Sequence, residues 1–585
     1  MAHLASCREH PAREDAQASR IQQRRLLLRP IVPLHRCRSL TPSPQARPKG
    51  GRCLTRPTCL AAAVAVLGGL GIGPAAPLPA PPPIHRAKDT NGEPAPYWPE
   101  NLRWAATAPS IRVHTSEELQ RVLNDTHVPP GTVIWVEPGH YTPPTPARVF
   151  TCKLNGTPER PIIVRGRYTP PCPQKESGTR SEAPEPSVIN GGIWADPSAN
   201  VWFWGLEITN TSTSRLVADR LCGVNLLFDQ KRGKSVVNCI IHDTGQPGIG
   251  FWNQGPNAMI YGCIVYHNGV YDDLHYTDIG GHPRGPGVYA HNDQGEVRVS
   301  DNIFFGNFGE GVHAYGATGY VNGFVVSNNI AFMNNGDQIF LGSDKEPMSA
   351  IRVENNVAYR EPGTGGKRCM RVGYTVPVTD AVVKNNVVIG ATWALQIERV
   401  HTLTMEGNKV YGEGDGAILV RSDGTADATY EGSKNTIWFP KSQNAFAWAV
   451  GEGGATMYRV SDMTAFLRLP SHAITVAQAP PTEPVIRIYH NRYEANRYHV
   501  AIWNPAKTNT VNVKIPQLPI GTHVQVWDVQ SLSKGPILDA NYTDAGIVLP
   551  MNRTDYDEMI GPAPHMKHVL HHTKQDFGAF LVITE

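Results

Sequence analysis

The chain has 585 residues, 41% of them hydrophobic, and a formal net charge of +3 that conceals an asymmetry. Residues 1–58 hold 12 Lys+Arg against 3 Asp+Glu, a net of +9, which leaves 42 against 48, a net of −6, for the rest. That length gives room for two or more domains and a large core, and a mildly acidic body speaks against a surface built to grip nucleic acid.

In chain order, residues 1–80 read as a basic leader with an export signal. Its apolar run, CLAAAVAVLGGLGIG from Cys59, has the length of a signal-peptide core and is short for a membrane span. The charged region before it is long for a signal, so an uncleaved membrane anchor stays open beside cleavage, as does a start further downstream. Either way the body is expected outside the cytoplasm, secreted or at the cell surface, and monomeric. Residues 81–109 read as a Pro/Ala-rich linker. Ten Cys divide into four in the leader and six in the body. Cys152 and Cys172 flank one loop and are placed to form a disulfide in an oxidising compartment. Cys239 and Cys263 take the same position in neighbouring repeats and read as stacked free thiols.

Residues 110–455 carry the repeat. Between 236 and 422 one phrase recurs: a short apolar strand, one Asn or small residue, a second apolar strand, a Gly-rich turn and a third strand. Its centre reads SVVNCIIHD, MIYGCIVYHN, RVSDNIFFGN, VVSNNIAFMNN, RVENNVAYRE, VVKNNVVIGA and TMEGNKVYGE. The pivots are Asn238, Gly262, Asn302, Asn329, Asn356, Asn386 and Asn408, spaced 24, 40, 27, 27, 30 and 22 residues apart. Such a period marks a solenoid, and runs of β-branched and aromatic residues this short are strands. With the phrase kept from unit to unit, each coil can lie on the one before it, about 4.8 Å away, in parallel sheets. The fold class is all-β, a parallel β-helix. The pivot Asn is expected to take the left-handed backbone of the bend and to bond its neighbours along the axis. Residues 456–480 read as a short capping helix and linker. Residues 481–585 change to strands that alternate apolar and polar, VIRIYHN, HVAIWN, TVNVKI, HVQVWDV, GIVLPM and FGAFLVIT, which argues a small β-sandwich half exposed to water. His565, His568, His571 and His572 read as an exposed His-rich loop.

The coil phrases resemble the right-handed parallel β-helix proteins of the pectate-lyase-like superfamily. The helix from Ser116 and the phrases GTVIWVEPGHYT, GTPERPIIVRG and SVINGGIW resemble that family's cap and first coils. The resemblance implies a right-handed β-helix, while lyases, hydrolases, esterases and non-enzymatic fibres share the fold, so it fixes no chemistry. The C-terminal phrases resemble the small β-sandwich appended to some carbohydrate-active proteins.

The third strands are IGFWN, VYAHN, VHAYG, IFLGS, MRVGY, LQIER and ILVRS. Their first and third residues are nearly all apolar and face the core; the second and fourth then face out. One outward column reads Gly250, Tyr289, His313, Phe340, Arg371, Gln396, Leu419. The other reads Trp252, His291, Tyr315, Gly342, Gly373, Glu398, Arg421. Aromatic rings can cover apolar sugar faces while His, Arg, Gln and Glu address hydroxyls or carboxylates, so the strip is expected to hold a polysaccharide. Overhanging loops that pack on these rings are the competing explanation. On the first reading Trp252, Tyr289, Tyr315 and Phe340 form the platform, Gln396 and Glu398 bind substrate, His291 or His313 transfers protons, and Arg371 neutralises substrate charge.

The 40-residue interval holds an insertion, residues 269–286, at the edge of this strip. It contributes Asp272, Asp273, His275, Tyr276, Asp278, His282 and Arg284, a mixture suited to acid/base work or to a divalent cation such as calcium; Asp272, Asp273, His275 and His282 count as substrate-binding candidates. His242 with Asp243 and His267 with Asn268 end strands at the same edge, as site residues or as turn residues. Resemblance to polygalacturonase-like hydrolysis requires NxD and RxK at coil spacing, which are missing. Resemblance to pectate-lyase-like elimination requires Ca²⁺-binding carboxylates around a residue such as Arg371, and these are sparse. The metal stays undetermined. The sequence thus points to an exported polysaccharide-binding protein that cleaves its ligand as a lyase or hydrolase, with a non-catalytic glycan-binding or adhesive β-helix as the alternative.

Overall fold

A computed structural model describes residues 98–584 except 145–147, 167–185, 218, 228–230, 274–282, 318, 365, 367, 415–416, 423–424, 426, 441–445, 452–453, 460–463, 466 and 563–569. The leader, most of the linker, Cys172, His565 and His568 lie outside them. Among the described residues no helix is long and apolar enough to cross a membrane.

The strands stack as three parallel faces. First and third strands belong to a 23-stranded sheet and second strands to a 12-stranded sheet. The faces of the first and third strands count as one sheet because a 14-residue strand, Trp393–Glu406, serves both: Gln396 pairs with Arg371 on the third-strand face and Thr404 with Val382 on the first. Inward residues of all three faces fill one continuous core, including Val299, Phe304, Val312, Ala314, Val326, Ala331, Ile339 and Leu341. At the N-terminal end the helix Ser116–Asn124 buries Leu119, Val122 and Leu123. Its start is doubly capped: the N-cap Thr115 accepts from the Glu118 amide at 3.2 Å, and Glu118 reaches back to accept from the amide of His114, one residue before the cap, at 2.8 Å.

The pivot column proves to be two columns. The left-handed residues are Asn238, Gly262, Asp301, Asn328, Asn355, Asn385 and Gly407, with φ between 50° and 67°. The ladder lies one residue later. Each amide nitrogen there bonds the next Oδ1: Asn302 to Asn329 at 3.0 Å, Asn329 to Asn356 at 2.9 Å, Asn356 to Asn386 at 3.0 Å, Asn386 to Asn408 at 2.9 Å and Asn408 to Asn435 at 2.9 Å. Asn238 and Gly262 therefore belong with the bend. Their ladder counterparts are Cys239 and Cys263, buried free thiols as expected from their repeat position. Cys152 is also a buried free thiol. A second ladder, absent from the sequence reading, runs Asn268 to Asn307 at 3.0 Å, Asn307 to Asn334 at 2.8 Å and Asn334 to Gln338 at 2.9 Å.

The expected helix over 456–480 is corrected. Gly454–Arg459 is a strand antiparallel to Phe446–Gly451, Ile474–Val476 adds a further second strand, and of the described residues there only Thr464 and Ala465 are helical. Its sequence, GATMYR, carries the alternation of an edge hairpin, and a hairpin closes an open sheet end as a helix would.

Residues 485–584 form the sandwich, a five-stranded antiparallel sheet and a two-stranded one. The expected exposure of one face is also corrected. Tyr498, Val500, Ile502, Val526, Phe580 and Val582 pack inside the sandwich. The opposite face sets Trp503, Trp527, Phe577 and Leu581 against Tyr266, Phe305, Phe332, Tyr359 and Tyr411 of the second strands. Along that outward column Tyr266 stacks on Phe305 at 4.8 Å and Phe305 on Phe332 at 5.1 Å, while Phe577 stacks on Tyr359 at 4.5 Å.

Adjacent residues separate the two columns experimentally. Asn386→Ala removes the acceptor of the Asn356 amides and the donor to Asn408 and to the Val353 carbonyl. With buried groups left unpaired at about 1–3 kcal/mol each, urea titration should show a loss of at least about 3 kcal/mol. Asn385→Gly, at φ 55° on the exposed bend, should change stability by less than about 0.5 kcal/mol, since glycine adopts that conformation without strain.

Candidate functional site

The outward columns lie in the expected register. Gly250 pairs with Tyr289, Tyr289 with His313, His313 with Phe340, Phe340 with Arg371, Arg371 with Gln396, and Gln396 with Leu419. Trp252 pairs with His291, Tyr315 with Gly342, and Glu398 with Arg421. The register also continues to earlier coils, from Gly250 to Asn225, Trp194 and Thr151. Trp194 and Asn225 precede the stretch 236–422 in which the coil phrase recurs, and so escaped the outward columns read from it. The alternation in GIWA and VNL was the available signal.

The columns form a continuous ring stack whose exposure changes along its length. Trp252 meets Tyr289 edge-on at 5.0 Å; Tyr289 stacks on His313 at 4.9 Å; His313 stacks on Phe340 at 5.2 Å; and the Arg371 guanidinium lies 5.0 Å over Phe340. Tyr374 closes over the far end, 6.0 Å from Phe340 and 4.3 Å from the Arg371 guanidinium. Trp194, Trp252, Tyr289 and His291 are half-buried, whereas His313, Tyr315, Phe340, Arg371, Gln396 and Glu398 are buried. The packing explanation therefore holds for the far half of the strip.

Charge is internally matched. Glu398, 2% exposed, accepts from Arg371 Nε at 2.8 Å and Nη2 at 2.5 Å, from Gln396, and pairs with Arg421 at 3.2 Å. Arg232 forms a two-bond pair with Asp293, at 2.6 and 2.9 Å, which holds that carboxyl below its usual range. Glu310 lies 3.3 Å from His313 Nδ1. Burial against Asp344 raises the Tyr315 hydroxyl.

His291 differs from the other candidates. Its Nδ1 lies 3.0 Å from Asn253 Oδ1, and burial lowers its pKa to about 4. A neutral ring that donates from Nδ1 to an amide oxygen keeps its lone pair on Nε2, the form of a general base. Trp252 is positioned similarly, with Nε1 donating to Asn225 Oδ1 at 2.7 Å. The chain at Gly319 passes so close to His291 that a Cβ there would lie 2.9 Å from the ring.

The insertion contributes less than expected among its described residues. Val270–Tyr271 and Pro283–Arg284 form a two-stranded ribbon in which buried Asp272 lies 3.5 Å from Arg284. Asp273 donates its amide to the Tyr271 carbonyl at 3.0 Å. His275, Tyr276, Asp278 and His282 lie outside the described residues. Among the described residues no group of three or more His, Cys, Asp or Glu is placed to hold a metal ion.

The other paired residues hold the fold. Asn268 belongs to the second ladder, and His267 Nε2 is 2.6 Å from the hydroxyl of Tyr556. His242 sits on the second-strand face with Asp243 at 2.9 Å and Glu207 at 3.3 Å. Burial opposes its charged form, but hydrogen bonds to those two carboxylates outweigh it and hold the pKa at about 9.

Comparison with known proteins agrees on architecture. Residues 187–358 match the family model described as a right handed beta helix region. No curated protein matches the chain. Among solved structures the chain is similar to an alginate lyase from Paenibacillus sp. str. FPU-7, at 18% identity and TM-score 0.33 over 59% of this chain and 98% of that one. It is also similar to the pectate lyase Pel9A, at 14% identity and TM-score 0.29 over 56% and 70%. A third is PfbA, a surface adhesin of Streptococcus pneumoniae, at 9% identity and TM-score 0.29 over 58% and 87%. The family match and the stacked parallel sheets make the chain a right-handed parallel β-helix.

The buried rings make stability depend on pH. Burial lowers His291 and His267 to about 4 and His499 well below its ordinary value. Their contribution is complete above the unfolded pKa of about 6.5 and is lost as pH falls, because the unfolded chain takes up protons the folded rings refuse. Asp301, raised to about 7 by burial, acts in the opposite sense and offsets part of this. Urea midpoints should fall between pH 7 and pH 5, and the fall should become shallower in His291→Gln.

Proposed function

We propose that this protein is an exported glycan-binding β-helix that holds a polysaccharide along the third-strand face, over the coils that carry Trp194, Trp252, Tyr289 and His291. The observation that supports the reading most is the half-buried ring series Trp252, Tyr289 and His291, with centroids 5.0 Å apart from Trp252 to each partner. Half-buried rings fixed at coil spacing leave apolar carbon accessible on this face, and the amide oxygens of Asn225 and Asn253 hold Trp252 and His291 in place. The buried half of the columns, from His313 to Glu398, continues this surface along the axis and packs against its end. The leader motivates the extracytoplasmic assignment, and one chain suffices for the surface.

Cleavage is the second reading, and one observation favours it: the neutral His291 with Asn253 on Nδ1 is a base at any pH well above about 4. His313 and Arg371 would then act from the next coils of the same face, as supports for the rings and for Glu398. Asn253 would be the positioning residue that selects the His291 tautomer.

Affinity electrophoresis on immobilised polysaccharides checks the binding reading. Trp252→Ala and Tyr289→Ala should each weaken binding at least tenfold, about 1.4 kcal/mol. Binding unchanged in the double variant would remove the strip as the site. Cleavage is followed by new reducing ends. They should vanish in His291→Ala, a far larger loss than the fall in binding, and their absence across a broad panel in the parent protein would leave a binding protein only.

A further inference from the structure

We infer that the glycan held on this strip is uncharged, a neutral polysaccharide, and that polyuronates are not its ligand; the inference rests on the strip reading above. A surface that recognises a chain of carboxylates needs unpaired cations at the spacing of the sugar rings. Among the described residues of this strip, the guanidinium groups of Arg232, Arg371 and Arg421 are already occupied by carboxylates of the same chain. Arg371 gives Nε and Nη2 to Glu398, and Arg421 pairs with the other oxygen of that carboxylate at 3.2 Å. Arg232 gives two parallel bonds to Asp293.

Glu398 and Arg371 are buried, with side chains 2% and 8% exposed. Turning Arg371 toward a uronate would leave a buried carboxylate short of a partner, which opposes the exchange. The half-buried groups themselves are uncharged: two indoles, a phenol, an imidazole held neutral and the amide of Asn253, with the buried Asn225 amide bonded to Trp252. Such a set matches hydroxyls and apolar sugar faces.

The substrate class also limits the chemistry. β-Elimination removes a proton made acidic by the adjacent carboxyl group as the glycosidic oxygen leaves, and a neutral hexose has no such group. Any bond breaking on this strip then adds water across the glycosidic bond, giving a hydroxyl to the anomeric carbon and a proton to the departing oxygen.

The test compares the full chain and its variants on neutral polysaccharides (mannan, galactan, xylan, β-glucan) and polyuronates (polygalacturonate, alginate) at low and moderate salt, by affinity electrophoresis. The expected result is binding to at least one neutral polymer that Trp252→Ala weakens at least tenfold, that Arg421→Gln changes less than twofold and that salt leaves unchanged. Polyuronate binding weakened tenfold by Trp252→Ala or by Arg421→Gln would overturn the neutral assignment while leaving the glycan strip in place. If no polymer shows affinity that depends on Trp252, the strip reading itself falls and this inference falls with it.

Discussion

A buried amide that must be satisfied by the amide of the next coil sets the register of this solenoid. In each ladder position the Oδ1 accepts from both the backbone amide and the side-chain amide of the previous Asn, and the Nδ2 also reaches a backbone carbonyl, as Asn329 does with Val299 at 2.8 Å. A slip of one residue would leave several such groups unpaired in the core and turn every inward side chain outward. The apolar columns favour stacking in general, and the amides select one stacking. The third-strand face inherits that precision, which is why rings from separate coils meet at nearly constant separation.

Much of this was legible because the strand period and the coil period are both written in residue type. The inward column from Ile249 to Val420 and the outward pairings from Gly250 to Leu419 follow from alternation alone. What could not be read was covering. Phe340 and Tyr315 have the composition of an open aromatic surface, but Tyr374, from the loop after the next strand, closes on them, and loop paths have no period. The double nature of the pivot was hidden for another reason: Asn is at home both in a left-handed bend and in a ladder, so Asn328-Asn329, Asn355-Asn356 and Asn385-Asn386 present both roles in adjacent letters. Nor does a sandwich strand disclose in its own pattern that its second face will be covered by another part of the chain.

The strip joins two requirements that oppose each other. A ligand surface has to leave rings accessible, whereas aromatic rings on one face of a sheet gain most from being covered. The chain resolves this along the axis: one half of the ring stack is sealed by Tyr374 and neutralised by Glu398, and it fixes the orientation of the half that remains open. His291 sits at that boundary, buried enough to stay neutral and tied to Asn253 in one tautomer.

Solenoids commonly lose their ends first, since each coil touches only its neighbours. Here the sandwich spans many coils at once. Asn491 bonds Asn238 at 2.7 Å, Arg497 donates to the Gly262 carbonyl at 3.1 Å, His499 Nδ1 meets the Asp301 carbonyl at 2.8 Å, and Trp503 packs on Tyr411 at 4.5 Å. A coil between those points cannot fray without also lifting a domain fastened to coils on either side. The splint turns a one-dimensional stack into a cooperative block, so the open rings of the strip ride on the part of the molecule least able to breathe.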